Sequence, residues 1–281
     1  MLNDLKKHWR SKIINEKSNL CMWNDMAERF RSFPVPKWDE DGFLKLLHST
    51  VAFNDEMTVL DIGCGSGTFS IALSERVSRI TAIDISPKML EYARFNADKH
   101  KKDNIDFICV DWKNTDLLQA GWERCFDLVI AHNTPAVSDA DTFEKMMGAS
   151  RDYCFFAKPT RRTDSILGKI PEVLGIPGKN KNRDEDIIIA LSMLWSRGLL
   201  PEMIHLQDFW KMEKPLEEAC KFYANRINLF RKADHEIGIE QEKALKNYLR
   251  SIAVDNIVYE TTNTAITIIA WRNNGKFLKY N

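Results

Sequence analysis

The chain has 281 residues, 44% hydrophobic and 28% charged, with 40 basic side chains balanced by 40 acidic ones. That length suits one enlarged α/β domain, or two small ones, with a sizeable core, and the zero formal charge removes the electrostatic argument for a general nucleic-acid binder. Six cysteines (Cys21, Cys64, Cys109, Cys125, Cys154 and Cys220) are scattered without a C-x-x-C pair, a pattern of reduced thiols rather than a zinc site. The N-terminal M-L-N-D-L-K-K-H-W-R has no apolar signal core and no run approaches membrane-spanning length, so a cytoplasmic protein without a membrane partner is expected.

Residues 1–50 read as helical. Trp23, Met26, Ala27 and Phe30 recur at i, i+3, i+4 and i+7, one apolar helix face, and Pro34 and Pro36 end that helix. A second helix is predicted over 41–50, carrying Phe43, Leu44, Leu46 and Leu47.

The central stretch is T-V-L-D-I-G-C-G-S-G-T-F-S, residues 58–70. Val59, Leu60 and Ile62 suit a buried parallel strand, in which the Asp61 carboxylate needs a partner. Gly63, Gly65 and Gly67 then alternate into a helix-compatible segment over 68–76. A strand that turns through glycines into a helix brings bare backbone close to a ligand. The dinucleotide fingerprint G-x-G-x-x-G would need glycine at 68, which is Thr68, so a nicotinamide-dependent oxidoreductase is disfavoured. The pattern D-x-G-x-G-x-G instead resembles motif I of the class I, seven-stranded S-adenosylmethionine (SAM)-dependent methyltransferases. A tight turn with no ligand is the alternative.

A second strand, 79–84, ends at Asp84, about twenty residues past the turn, where an acid can accept hydrogen bonds from both ribose hydroxyls. Ser86-Pro87 opens the next helix. D-I-S-P-K-M-L-E-Y-A-R is similar to the family's second motif, which implies that Asp84 holds the ribose and Met89, beside Ile85, lines the adenine. A role for Asp84 as helix N-cap alone is the competing reading. A third strand, 105–110, runs into Asp111-Trp112. The resemblance implies that Asp111 bonds the adenine amine and that Trp112 stacks on the base, unless Trp112 is a surface-packed side chain.

A fourth strand, 126–131, resembles the family's F-D-x-V and leads into H-N-T-P-A-V, 132–137, which should face the methyl donor beyond the strand ends. Methyltransferases of planar amines often carry Asn/Asp-Pro-Pro-aromatic here. Asn133-Thr134-Pro135-Ala136 lacks the first proline and the aromatic, which disfavours nucleobase amino-methylation. His132 is a candidate general base, or a cofactor contact alone, and Asn133 is the second candidate catalytic residue. W-N-D-M-A-E-R-F, 23–30, loosely resembles the helix over the cofactor in small-molecule methyltransferases; core packing explains it equally well.

After a helix over 141–150, a fifth strand is predicted at 153–157, followed by a basic loop containing Lys158, Arg161 and Arg162, either a substrate anion site or a solvated loop. Then come a loop over 174–186, a helix over 187–195 closed by Gly198, a strand over 203–207 and two helices, 216–230 and 240–252, that either pack or cap the substrate. Two β-rich segments, 256–260 and 264–271, are joined by 261–263; the second fits the family's antiparallel last strand.

The expected fold is a doubly wound, mostly parallel seven-stranded α/β sheet with an antiparallel last strand. A helical cover is expected over 1–50, the SAM-binding domain over 51–275, and a helix-rich insertion or substrate cap over about 161–250. The resemblance implies SAM as cofactor, with S-adenosylhomocysteine (SAH) as product, and contacts at Asp61, Gly63, Cys64, Gly65, Gly67, Asp84, Ile85, Met89, Asp111, Trp112 and His132. It implies methyl transfer but names no substrate; the neutral net charge, the lack of an appended nucleic-acid module and the added helical cover point to a small-molecule acceptor. RNA or protein acceptors, or a SAM-binding regulator or assembly protein without chemistry of its own, are the other readings. No metal is expected.

Overall fold

Alternation along the strands sets the layers. In the computed structural model, which describes residues 6–11, 13, 15–177, 184–231 and 236–279, β1 (Thr58–Ile62) turns Leu60 and Ile62 to one face of the sheet and Val59 to the other. The sheet order is β3 (Ile105–Cys109), β2 (Arg79–Asp84), β1, β4 (Phe126–His132), β5 (Ser150–Asp164), β7 (Ile257–Arg272) and β6 (Glu202–Pro215). β1 to β5 pair in parallel, and β7 runs antiparallel to both neighbours. This is the doubly wound sheet with an antiparallel last strand expected from the sequence.

Caps place most of the N-terminal and first-half helices. Asn15 accepts the Ser18 N–H to start α1 (Glu16–Arg31), and Asp41 accepts from Phe43 and Leu44 to start α2 (Gly42–Thr50). Gly67 precedes α3 (Thr68–Leu73), shorter than predicted. Ser86, with Pro87 at the first helical position, caps α4 (Pro87–Lys99), and an Asp139–Thr142 capping box starts α5 (Ala140–Ala149). α6 (Ile170–Val173), α7 (Glu185–Trp195), α8 (Leu216–Asn228) and α9 (Ile239–Ile252) follow.

One apolar cluster joins α5 and α7 to one sheet face through Phe143, Met193, Phe156 and Trp271; a second joins α2 and α3 to the other through Phe43, Leu47, Leu73 and Phe155. A third lies off the sheet and gathers Met22 and Met26 of α1, Met89 of α4, and residues of α6, α8 and α9. Of α1 and α2, then, only α1 contributes to this third cluster. α2 is a sheet-packing helix, because Phe43, Leu44 and Leu47 all point inward and are fully buried.

Three strand predictions are too short. β5 continues through the expected basic loop to Asp164, β6 spans Glu202–Pro215, and the two β-rich segments near the C-terminus are one strand, β7. Pro159 does not break β5 because β4 pairs with it only as far as Ala157, leaving an edge where a missing N–H is tolerated. The region 161–250 therefore contains the end of β5 and all of β6 as well as helices. Residues 178–183, within the loop predicted over 174–186, lie outside the described residues. No helix among the described residues is long and apolar enough to cross a membrane.

Candidate active site

A cavity of about 410 Å³ opens beyond the carboxyl ends of β1, β2 and β4, within the range of about 300–1,000 Å³ common for small-molecule sites. Its floor at one end is the glycine turn. Gly63 and Cys64 donate backbone N–H bonds to the Ile83 carbonyl at 2.8 and 2.9 Å, tying the turn to β2. All three glycines have positive φ, and each serves differently. A Cβ on Gly63 would lie 1.9 Å from Thr134 Oγ1, so the turn is closed by the loop after β4. On Gly67 it would meet Ala93 Cβ at 3.0 Å and the Phe107 ring at 3.1 Å, a helix-packing contact. On Gly65 it would meet nothing within 4 Å and would project into open space. Gly63 and Gly65 line the cavity and Gly67 does not.

Asp84 braces the same turn. Its carboxylate accepts the Gly65 N–H at 2.9 Å and the Ser86 N–H at 2.8 Å, while burial, opposed by these bonds, raises its pKa. Ser86, not Asp84, is the helix cap, so the cap-only reading of Asp84 is excluded. Ile85, Met89, Val110, Asp111 and Trp112 continue the wall. Asp111 accepts from Lys113 N at 3.0 Å and Asn114 Nδ2 at 2.8 Å. Trp112 is not surface-packed: it is 2% exposed, and its indole N–H donates to the Thr142 carbonyl at 3.1 Å. Cys64 lines the cavity as a neutral thiol, held protonated by burial and by the Asp61 and Asp84 carboxylates.

Asp61 does not line the cavity. It sits on the Val59 face of β1, accepts the Ser70 hydroxyl of α3 at 2.5 Å, and burial raises its pKa to about 7. The carboxyl links strand to helix beneath the turn.

His132 and Asn133 line the opposite wall. The His132 ring stacks on Phe43 at 4.4 Å and lies 4.2 Å from Phe69, and burial pushes its pKa down to about 3. An imidazole so reluctant to take a proton is weakly suited to act as a general base, and its place between two rings suits a packing contact. Asn133 sits at φ 53 with its N–H bonded to the Ala157 carbonyl at 2.8 Å. Its Oδ1 is buried without a hydrogen-bond partner, an acceptor left for something else.

The other end of the cavity brings together the helix expected over 23–30, Arg162 of the expected basic segment and α8 with strand residues that the sequence did not single out. α1 roofs it, with Asn19, Trp23, Met26, Arg29 and Phe30 on the lining; Asn24 Oδ1 receives the Ser86 hydroxyl at 2.7 Å, and Glu16 pairs with Lys113 at 3.0 Å. The extended parts of β5, β6 and β7, with α8, form the far wall: Pro159, Arg162, Trp210, Met212, Phe222, Arg226, Glu260 and Thr262. The register shifts between Thr160 and Thr163, next to Arg161 at φ 49, and Arg162 lines the cavity from this bulge. The expected basic triplet thus separates. Lys158 pairs with Asp186, and Arg161 pairs with Asp184 at 3.0 Å on the surface. Arg162 pairs with Asp164 at 2.6 Å, below Trp210.

The glycine turn, an acid at the end of β2, a second acid beyond β3 and an open Gly65 cradle fit a SAM-sized ligand. Residues 53–250 match a family described as "Methyltransferase domain", and the chain belongs to this family of class I SAM-dependent methyltransferases. Among curated relatives, it is 41% identical over 80 residues to a malonyl-[acyl-carrier protein] O-methyltransferase of Acetivibrio thermocellus, covering 28% of this chain and 25% of the relative. It is 34% identical over 93 residues to a ubiquinone biosynthesis O-methyltransferase of Idiomarina loihiensis, covering 29% and 38%. The matches therefore span well under half the length of these relatives. Among solved structures, the [4+2]-cyclase SpnF aligns with TM-score 0.49 and 16% identity over 90% of this chain and 95% of that one. A geranyl diphosphate methyltransferase, solved with GPP and sinefungin, aligns with TM-score 0.46 and 14% identity over 82% and 76%.

Proposed function

We propose that the protein transfers a methyl group from SAM to a small-molecule acceptor held in the same cavity. One observation carries this reading: the cavity runs without interruption from the Gly65–Asp84 end to a second end roofed by α1 and walled by β5, β6, β7 and α8. A cofactor at the first end would have its reactive group facing an acceptor at the second.

When bound, SAM supplies a sulfonium methyl that is already electrophilic, so the protein's task is chiefly positioning. Asp84, with lone pairs left beside its two backbone bonds, would hold the ribose hydroxyls. Gly63 and Gly65 would allow close backbone approach, Ile85 and Met89 would flank the adenine, and Asp111 would take the adenine amine. Trp112, anchored from behind, would offer the edge or face that the core leaves open. Asn133 Oδ1 would accept a hydrogen bond from an N–H or O–H of the acceptor, orienting its lone pair. His132 would act as a neutral packing surface between Phe43 and Phe69 rather than as a base. The roof and the neutral formal charge favour a small acceptor over RNA or protein.

Calorimetric titration with SAH, using NADH as control, tests the cofactor assignment. Binding of SAH alone supports it, and a screen of acceptors with labelled SAM then tests transfer. Binding of NADH, or of neither ligand, refutes it.

A further inference from the structure

The acceptor end of the cavity holds a cation with no ion pair among the described residues. Arg29, near the C-terminal end of α1, lines the cavity and is half-buried. Its guanidinium spends one N–H on the Lys211 carbonyl at 2.6 Å and lies 5.8 Å from the Phe33 ring. Among the described residues no carboxylate lies within ion-pair distance of it. Glu260 is the acid whose field it feels, and that carboxyl is itself buried and accepts the Leu167 N–H at 2.9 Å. Lys214, close enough to repel Arg29, is 8% exposed; its ammonium lies 4.9 Å from the Phe222 ring and likewise has no ion pair among the described residues.

Two desolvated cations without ion pairs, on neighbouring elements, are costly in the free protein. Glu218 and Asp25 oppose that cost at Lys214, whereas at Arg29 the acid that opposes it is the buried Glu260. Arg162 and Arg226 also line this end, set against Glu260 on the lining and Asp164 paired to Arg162. Arg162 is thus ion-paired and Arg226 lies in the field of Asp164 and Glu260, which leaves Arg29 as the lining arginine with no ion pair found among the described residues. The rest of the surface here is apolar, made by Trp23, Phe30, Trp210, Met212 and Phe222. Guanidinium groups match carboxylate and phosphate oxygens in a planar, two-point geometry.

We propose that the methyl acceptor carries an anionic group, carboxylate or phosphate, on an apolar or aromatic body, and that Arg29 is the principal residue that recognises it. This deepens the methyl-transfer reading and rests on it for the word acceptor; the anion site itself does not.

The test uses the full chain, with and without saturating SAH, titrated with benzoate and phenyl phosphate and with the neutral isosteres benzamide and phenol. Binding is followed by ligand-observed NMR. In the wild type, one or both anions should bind at least about tenfold tighter than the isosteres, and the stronger of the two identifies the acid group. Arg29→Gln should lose that preference while binding SAH within about twofold of wild type, and Arg29→Lys, which keeps the charge without the planar fork, should keep part of it. Isosteres binding as well as the anions to the wild type would overturn the proposal even if Arg29→Gln failed to fold; so would unchanged anion affinity in a folded Arg29→Gln. Anion binding through Arg29 with no SAH binding would uphold the anion site and remove the methyl-transfer reading.

Discussion

The three glycines of the turn make separable demands, and alanine substitutions should separate them. At Gly65 an added methyl meets no atom within 4 Å, so the fold pays only for an L-residue at φ +55, about 1–2 kcal/mol. At Gly67 the same strain at φ +76 is joined by contacts of 3.0 Å to Ala93 Cβ and 3.1 Å to the Phe107 ring. Overpacking of this kind adds about 1–3 kcal/mol, for a total of roughly 2–5 kcal/mol. Binding should run the other way. The Gly65 methyl occupies the space a cofactor backbone contact needs, whereas Gly67 is off the lining. Gly65→Ala is therefore expected to weaken SAH at least about tenfold, or 1.4 kcal/mol, with a small stability loss. Gly67→Ala should lose more stability yet bind SAH nearly normally in its folded fraction. Urea denaturation followed by circular dichroism measures the first quantity and calorimetry the second. If Gly65→Ala bound SAH like the wild type, or lost as much stability as Gly67→Ala, the placement of the turn beneath the cofactor would be wrong.

Asp84→Asn keeps an oxygen for one backbone N–H but removes the charge and one acceptor, so SAH affinity should fall roughly 10- to 100-fold with the fold intact; calorimetry that shows equal affinity refutes the ribose role. Asp61, with its pKa raised to about 7, stabilises the fold fully below its unfolded pKa and loses that contribution as pH rises through about 7. The wild type should thus lose roughly 2–4 kcal/mol relative to Asp61→Asn between pH 4 and pH 7 in urea titrations, and parallel profiles would show that the carboxyl is not held protonated. His132 has the opposite sign: with its pKa lowered to about 3, its contribution is present above its unfolded pKa and is lost as pH falls toward 3. His132→Phe, which preserves the stack on Phe43 and Phe69, should remove that part of the acid destabilisation. An NMR titration of the wild-type ring should show no midpoint above pH 5, and a midpoint near 6.5 would restore His132 as a candidate base.

The half of the site proposed to bind the cofactor was legible because it is local. Strand, glycine turn and acid succeed one another within residues 58–84, and each signal reports a backbone requirement that a single sequence displays. Even there, the acid at each of three strand ends invited one role, and the structure divides them: Asp61 links strand to helix, Asp84 braces the turn and faces the cavity, and Asp111 folds back on Lys113 and Asn114. What separates Asp61 from the cavity is its pleat position, on the Val59 side of β1, and strand alternation was available to say so. The acceptor half was legible only in fragments, the helix over 23–30 and the basic segment with Arg162, because Arg29, Arg162, Trp210, Arg226 and Glu260 come from five different elements and meet only when β5, β6 and β7 run past the end of β4. Pro159 disguised the first of those extensions as a loop, and the mixed polar alternation of β6, an edge strand, hid the second.

That division has a physical basis. A nucleotide-bearing cofactor is gripped mainly through backbone N–H groups, carboxylates and close approach of bare chain, all of which constrain sequence at short range. An acceptor is recognised by side chains that need only point into one space, whatever element carries them. Arg29 shows the difference: on the helix it reads as a solvated basic residue at the C-terminal end of an amphipathic face, where a cation suits the helix dipole. Its meaning comes from Lys211, Phe33 and Glu260, none of which lies on α1. The roof helix is tied to β2 and α4 by Asn24 and Glu28, through Ser86 and Tyr92, so it rides on the cofactor half while presenting Arg29 to the acceptor half. The proposed ribose-binding Asp84 lies two residues from Ser86, so the titrations with and without saturating SAH also measure whether filling that end shifts the affinity of the cation at the other.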